Sequence, residues 1–113
     1  MLITVLKSKI HLAAITSTKL HYEGSIAIDR KLLQAAGMYP GEKVAVLNFD
    51  NGQRFETYTI EGAPGEIGLR GPAARLGKIG EKVIIIAYAH MTPAEKKKFK
   101  PKIILVDDRN QIK

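Results

Sequence analysis

Gly24 and Ser25, within "HYEGSIAID" at residues 21–29, form a pair whose chemistry could go beyond packing. A serine hydroxyl can attack the carbonyl carbon of the residue before it through a five-membered ring, turning an amide into an ester. That rearrangement runs uphill unless the backbone is strained and the developing oxyanion is held. Glycine in the preceding position admits such a conformation and leaves its carbonyl unshielded. The ester can then expel its acyl part by β-elimination, leaving dehydroalanine, which hydrolyses to a pyruvoyl group. On its own, however, a Gly-Ser pair at the head of a strand reads as a turn.

Other chemistries find less support. His11, His21 and His90 share no ligand spacing and have no carboxylate cluster beside them, so each reads as an exposed or satisfied histidine, not a metal ligand. Ser25 does not sit in a nucleophile elbow, which argues against a hydrolytic triad. No glycine-rich phosphate loop follows a strand. The absence of cysteine excludes thiolate metal sites and disulfides and is compatible with a cytoplasmic protein. The longest apolar run, Val83 to Ala89, is too short for a bilayer span. The N-terminal "MLITVLKSKIHLAAIT" carries Lys7, Lys9 and His11 within its apolar pattern and does not read as a signal peptide. The net charge of +7 suits an anionic partner, either nucleic acid or a small dicarboxylate. Much of that charge lies in "EKKKFK" at 95–100, which reads as the solvated face of a short helix.

These residues must be positioned by a mainly β chain of 113 residues, read as one domain over 1–113. Strand-like segments span Lys9–Thr16, Ser25–Asp29, Lys43–Phe49, Arg54–Ile60, Glu66–Arg70, Lys82–Tyr88 and Lys102–Val106. Asn51-Gly52 predicts a type I′ hairpin. Asp29 caps a short helix, "RKLLQAA", that Gly37 ends, and "PAARL" stops at Gly77. Thr92, Pro93 and Glu95 form a capping box ahead of the lysine run. Two stretches repeat one order of elements: "IAIDRKLLQAAGMYPGEKVAVLNF" (26–49) and "IGLRGPAARLGKIGEKVIIIAY" (67–88). In both, a strand leads through a short helix and a Gly-Glu-Lys-Val turn into a second strand. A β-α-β unit used twice, with few helices, predicts a small closed barrel with pseudo-two-fold symmetry.

"KIH" at 9–11, "LHYEGS" at 20–25, "AID" at 27–29, "NGQRFETY" at 51–58 and "GPAA" at 71–74 together resemble the pyruvoyl-dependent aspartate 1-decarboxylase family. The resemblance continues through "KPKIILVDDRNQI" near the C-terminus. It implies a double-psi β-barrel, assembled as a homotetramer, that cleaves itself between Gly24 and Ser25 into residues 1–24 and 25–113. Ser25 would become a covalently bound pyruvoyl group, and no metal is implied. The pyruvoyl ketone would form a Schiff base with L-aspartate and act as an electron sink while CO₂ leaves. Tyr58 matches the family's proton donor. Thr57 matches the residue near the oxyanion of cleavage and in contact with substrate. Arg54 would grip a substrate carboxylate, Lys9 and Tyr22 match further site positions, and backbone contacts would come from Gly71, Pro72, Ala73 or Ala74. The implied activity is conversion of L-aspartate to β-alanine for pantothenate synthesis, in the cytoplasm and with a maturation factor as an open possibility. The alternative from composition alone is a small basic barrel that binds nucleic acid. Against it, only Phe99 could stack a base within the lysine run.

Two departures from the family pattern stand out. Arg70-Gly71-Pro72-Ala73 replaces the usual Asn-Gly-Ala-Ala, so residue 70 cannot accept the helix-start amides as asparagine would. Gly71 is expected to serve as cap with Pro72 in the first helical position. Pro72 also lacks an N–H, which moves any backbone donor to its neighbours. Leu12 stands where many relatives carry arginine.

Overall fold

The computed structural model describes residues 1–113. In chain order it contains β1 (Ile3–Ala14), β2 (Ser17–Lys19), β3 (Ser25–Asp29), α1 (Arg30–Ala36), β4 (Lys43–Asn48) and β5 (Arg54–Gly62). There follow β6 (Ile67–Arg70), a 3-10 helix (Gly71–Arg75), β7 (Lys82–Met91), α2 (Pro93–Lys98) and β8 (Lys102–Leu105). Eight strands make one sheet in the order β2-β6-β3-β5-β4-β7-β1-β8. β1 and β2 are nearly continuous in the chain yet stand towards opposite ends of that order, so joining them closes the sheet. The seam is bonded where Ile15 N–H donates to the Glu81 carbonyl at 2.9 Å and Thr16 N–H to that of Ile67 at 2.8 Å. Closure removes most of the exposed strand edge a free sheet would present.

The repeat seen in the sequence is a repeat in space. β3-α1-β4 corresponds to β6, the 3-10 helix and β7, and each strand pairs antiparallel with its own counterpart. Ile26 faces Leu69 and Ile28 faces Ile67 between β3 and β6, while Val46 faces Ile85 between β4 and β7. The turns match bond for bond. Glu42 takes the Tyr39 amide on Oε1 at 3.0 Å, and Glu81 takes the Lys78 amide on Oε1 at 2.8 Å. Gly41 and Gly80 both hold positive φ, at 87° and 93°, and their amides donate to the carbonyls of Thr59 and Ile15. The inward residues of the paired strands fill one core, including Ile10, Ile26, Ile28, Leu69, Val46 and Ile85, all fully buried.

Local chemistry accounts for where the two halves diverge. Asp29 accepts the Lys31 amide at 2.8 Å, and α1 runs to a left-handed Gly37 at φ 65°. Arg70 occupies the equivalent cap position without a side-chain hydrogen bond, and only a 3-10 turn forms. The cap is therefore Arg70 and not Gly71, which is the first residue of the turn. Gly77 also differs from its counterpart: it lies beyond the end of the turn, and a Cβ there would stand 2.6 Å from Ile15 Cδ1, so tight packing requires it. The Asn51-Gly52 hairpin is not type I′. Gly52 has φ 76° but Asn51 does not share the left-handed region, and a five-residue loop, 49–53, intervenes. Buried Asn48 organises that loop, its Oδ1 accepting the amides of Asp50 and Asn51 and its carbonyl accepting that of Gly52. The capping box at Thr92 and Glu95 forms as the sequence predicts.

Candidate active site

Ser25 opens β3, the central strand of three. On one side β6 runs antiparallel, with Arg70 directly opposite Ser25. On the other β5 runs parallel, with Thr59 opposite Ile26, so Tyr58 precedes that pair on β5 as Ser25 does on β3. Neighbouring strands lie about 4.8 Å apart, so these residues form a single row across the sheet. Ile26, Leu69 and Thr59 point into the barrel and are fully buried. By alternation Ser25, Arg70 and Tyr58 point to its outside.

Although alternation places it on the outer face, Ser25 is 0% exposed. Its Oγ has no hydrogen-bond partner. A buried hydroxyl without a partner costs free energy and calls for a reason. Ser8 Oγ is also unpartnered and buried, but Lys7 precedes it, and that residue lacks the freedom of glycine. Gly24 stands at φ 108°, a backbone state that side-chain-bearing residues rarely adopt. Neither its N–H nor its carbonyl is bonded within the chain. The carbonyl next to the orphaned hydroxyl is thus free to be attacked and to take negative charge.

A cleft of about 410 Å³ opens beside this bond. Gly24, Thr57, Tyr58, Pro72 and Ala73 line it, together with Glu23, Phe55, Glu56, Arg70 and Leu76. A slightly larger hollow, of about 490 Å³, lies against α1 and contains none of the residues the sequence singles out. Gly71 is seated directly behind the cleft. A Cβ on it would stand 2.7 Å from Gly24 Cα and N and 2.8 Å from the Tyr22 carbonyl oxygen, so the segment before Ser25 packs flat against its bare α-carbon.

Arg70 is the feature that sequence reasoning left unresolved. Its side chain is 8% exposed and pairs with Glu66 through Nη2 to Oε2 at 2.9 Å. Its guanidinium carbon lies 5.5 Å from the centre of the Tyr22 ring, a cation–π distance. Nη1 has no partner. The Ala63 amide, and after it the Arg70 charge, hold the Glu66 carboxyl below its ordinary range against the opposing effect of burial.

Arg54, Lys9 and Tyr22 are not among the residues that line the cleft, nor are Gly71 and Ala74 of the 3-10 turn. Arg54 is exposed at the start of β5, about 13 Å along the strand from Tyr58. Lys9 lies on β1, which β7 and β4 separate from β5. The register runs Lys9, Ile86, Ala45, Glu56 across those strands, so Lys9 shares the outer face of Arg54 and Tyr58 without reaching them. Leu12 is at a bulge of β1 with φ 61°, away from the cleft. The three histidines are scattered: His21 is exposed, His90 meets Thr4 at 3.3 Å, and His11 is half-buried on β1.

Comparison with known proteins agrees with the geometry. The family model described as aspartate decarboxylase matches residues 1–113. The chain is 55% identical to an aspartate 1-decarboxylase of Caldicellulosiruptor saccharolyticus, across 99% of this chain and 89% of that one. It is 55% identical to an aspartate 1-decarboxylase of Campylobacter jejuni, across 96% and 86%. A third, from Maricaulis maris, is 47% identical across 99% and 94%. With a full-length match and near-complete coverage, the chain belongs to the aspartate decarboxylase family.

Proposed function

We propose that the chain cuts itself between Gly24 and Ser25 and then, as a carboxy-lyase, converts L-aspartate to β-alanine and CO₂, serving pantothenate synthesis. The observation that carries this reading is the buried, unpartnered Ser25 Oγ beside a left-handed Gly24 with a free carbonyl. Ser25 Oγ attacks the Gly24 carbonyl carbon, and the amide nitrogen leaves to give an ester. Thr57, lining the same cleft as Gly24, supplies the hydroxyl that donates to the oxyanion. Loss of the Ser25 α-proton then releases Gly24 as a carboxylate. Hydrolysis of the dehydroalanine expels ammonia and leaves the pyruvoyl group at the head of residues 25–113. The orphaned hydroxyl and the open cleft fit the formation of that group. When present, its carbonyl supplies an electron sink for loss of CO₂.

The remaining steps fall to side chains. Tyr58, beside Ser25 in the row, delivers a proton to carbon after CO₂ departs. Pro72 and Ala73 form the wall against which substrate lies, with Gly71 packed behind it, and because Pro72 has no N–H any backbone donor falls to Gly71, Ala73 or Ala74. Arg54 and Lys9 face outward on the same surface yet stand outside the cleft of their own chain. This supports assembly into a homotetramer, in which the outer face of one copy meets the cleft of another. The pyruvoyl route calls for no metal, and a cytoplasmic setting with help from a maturation factor is part of the same proposal.

The test is intact mass measurement without added protease. The wild-type chain is expected to give fragments 1–24 and 25–113, the larger one blocked to N-terminal sequencing by its ketone. Ser25→Ala is expected to stay whole. Cleavage at the same bond in that variant would refute the mechanism.

A further inference from the structure

Arg70 is buried with an incomplete set of partners. Its side-chain exposure is 8%, one guanidinium nitrogen is held by Glu66 at 2.9 Å, and the Tyr22 ring lies 5.5 Å from its central carbon. Nη1 is buried and bonded to nothing. A charged donor withheld from both water and protein is costly, and the cost is offset only if an acceptor arrives. Arg70 is also one of the residues lining the cleft, beside Gly24, Tyr58 and Pro72, so a small shift of the guanidinium from over Gly68 would turn Nη1 toward that space. Ser25 is directly opposite Arg70 across the β3–β6 pair. The adjacent Gly71 is packed against Gly24.

We propose that Arg70 Nη1 is a carboxylate-binding position of the cleft, prepared in the uncut chain and occupied only after cleavage. A guanidinium suits this task, since one arm of its fork can remain on Glu66 while the other receives an oxygen. Glu66 keeps the group oriented and nearly neutral overall, so the buried charge is tolerated before an anion arrives. Two carboxylates appear there under the proposed function, on which this inference rests: the one that cleavage releases on Gly24, and one belonging to L-aspartate held at residue 25. Both present the same chemistry to Nη1.

Two variants and two readouts test the site. Arg70→Lys keeps a cation for Glu66 and removes the second arm of the fork. Glu66→Gln keeps the arm and removes the neutralising charge. If substrate is the occupant, Arg70→Lys raises KM for aspartate about tenfold or more in the processed enzyme, the scale of a lost charge-assisted hydrogen bond, and leaves kcat nearly unchanged. Glu66→Gln then lowers KM about twofold to fivefold. If the new terminus is the occupant, the Gly24 carboxyl carbon, followed by NMR after ¹³C-carbonyl glycine labelling, titrates about one pH unit higher in Arg70→Lys than in wild type. In Glu66→Gln it titrates lower than in wild type. Opposite signs in the two variants are what a merely structural pair would not produce. Shifts of the same sign, or no shift in either readout, overturn the proposal. Should Arg70→Lys fail to fold, an unchanged Glu66→Gln overturns it alone. A wild-type chain that neither cuts itself nor releases CO₂ overturns the proposed function and this inference together, whereas an active wild type with unmoved variants overturns only the inference.

Discussion

Adding one carbon to Gly71 should disable the chemistry at a bond that Gly71 does not contain. An alanine Cβ there would lie 2.7 Å from Gly24 Cα and N and 2.8 Å from the Tyr22 carbonyl oxygen. Carbon contacts settle near 3.5–4.0 Å, so the segment before Ser25 must retreat by about 1 Å. The obstructing atoms are backbone, which cannot swing aside as a long side chain would. A displacement of that size at a reacting carbonyl costs about a hundredfold in rate. Alanine also pays for φ 71°, about 1–2 kcal/mol of stability. Gly41→Ala separates the two effects, because Gly41 has φ 87° and an added Cβ would meet nothing within 4 Å. Cleavage half-times from intact mass, with urea unfolding on both variants, complete the assay. The expected result is similar destabilisation in both and slow processing in Gly71→Ala alone. If Gly71→Ala processes at the wild-type rate, or Gly41→Ala is equally slow, the packing argument fails.

Arg54→Ala should raise KM for aspartate by about tenfold or more while self-cleavage proceeds at its usual rate, since Arg54 stands outside the cleft that holds the scissile bond; steady-state kinetics on the processed fraction checks it. Asn110→Ala should cost about 2–4 kcal/mol in urea unfolding. It removes a buried side chain that accepts from Ala14 N–H at 2.7 Å and donates to the carbonyls of Ala14 and Gly65, both at 2.9 Å. Glu66 sets a pH dependence: its folded carboxyl lies below the usual 4.5, so its contribution is complete above that value and is lost as pH falls through the depressed one. The wild-type advantage in Tm over Glu66→Gln should therefore shrink on acidification below pH 4.5, and a difference that stays constant there would contradict the ion pair.

Much of this was legible in the sequence for a physical reason. Paired Gly-Glu-Lys-Val words mark a turn whose glutamate, glycine and strand start must all cooperate, and both copies form the same bonds. Asp29 and Thr92 behave as caps because a short oxygen-bearing side chain reaches the nearest amides in any fold. Asn51-Gly52 misled because the turn is governed by Asn48, a buried residue whose side chain occupies the loop amides from outside the two-residue signal. Gly77 misled because a packing glycine and a capping glycine are the same letter. The site divides along the same line. Gly24, Thr57, Tyr58, Pro72 and Ala73 are local in the strands that meet at Ser25, and they converge. Arg54 and Lys9 do not converge with the cleft within one chain, and their types and spacing along the sequence carry no signal of that separation. Of the two partners of Arg70, Glu66 is four residues back in the chain, while Tyr22 is brought to it only by the fold.

The duplication itself explains why one half carries the chemistry. Aligning Ile26 with Ile67 sets Gly65-Glu66 in the place of Gly24-Ser25, and both glycines hold positive φ, at 75° and 108°. In the second half the backbone is tied at both ends: Gly65 N–H donates to Asp29 Oδ2 at 2.7 Å, and its carbonyl accepts from Asn110 Nδ2 at 2.9 Å. The following residue is a glutamate, whose carboxylate is occupied by Arg70 and by the Ala63 amide. A carbonyl held by a side-chain donor and followed by no hydroxyl has neither a nucleophile nor freedom to rearrange. In the first half both restraints are missing, and a serine with nothing to bond replaces the glutamate. The same positive-φ glycine is thus tied into the barrel in one repeat and left unbonded in the other, where the proposed cleavage needs it free. The Glu66 that stands in the place of Ser25 is also the residue that holds Arg70, which lies opposite Ser25, so the second copy of the motif braces a side chain proposed to serve the first.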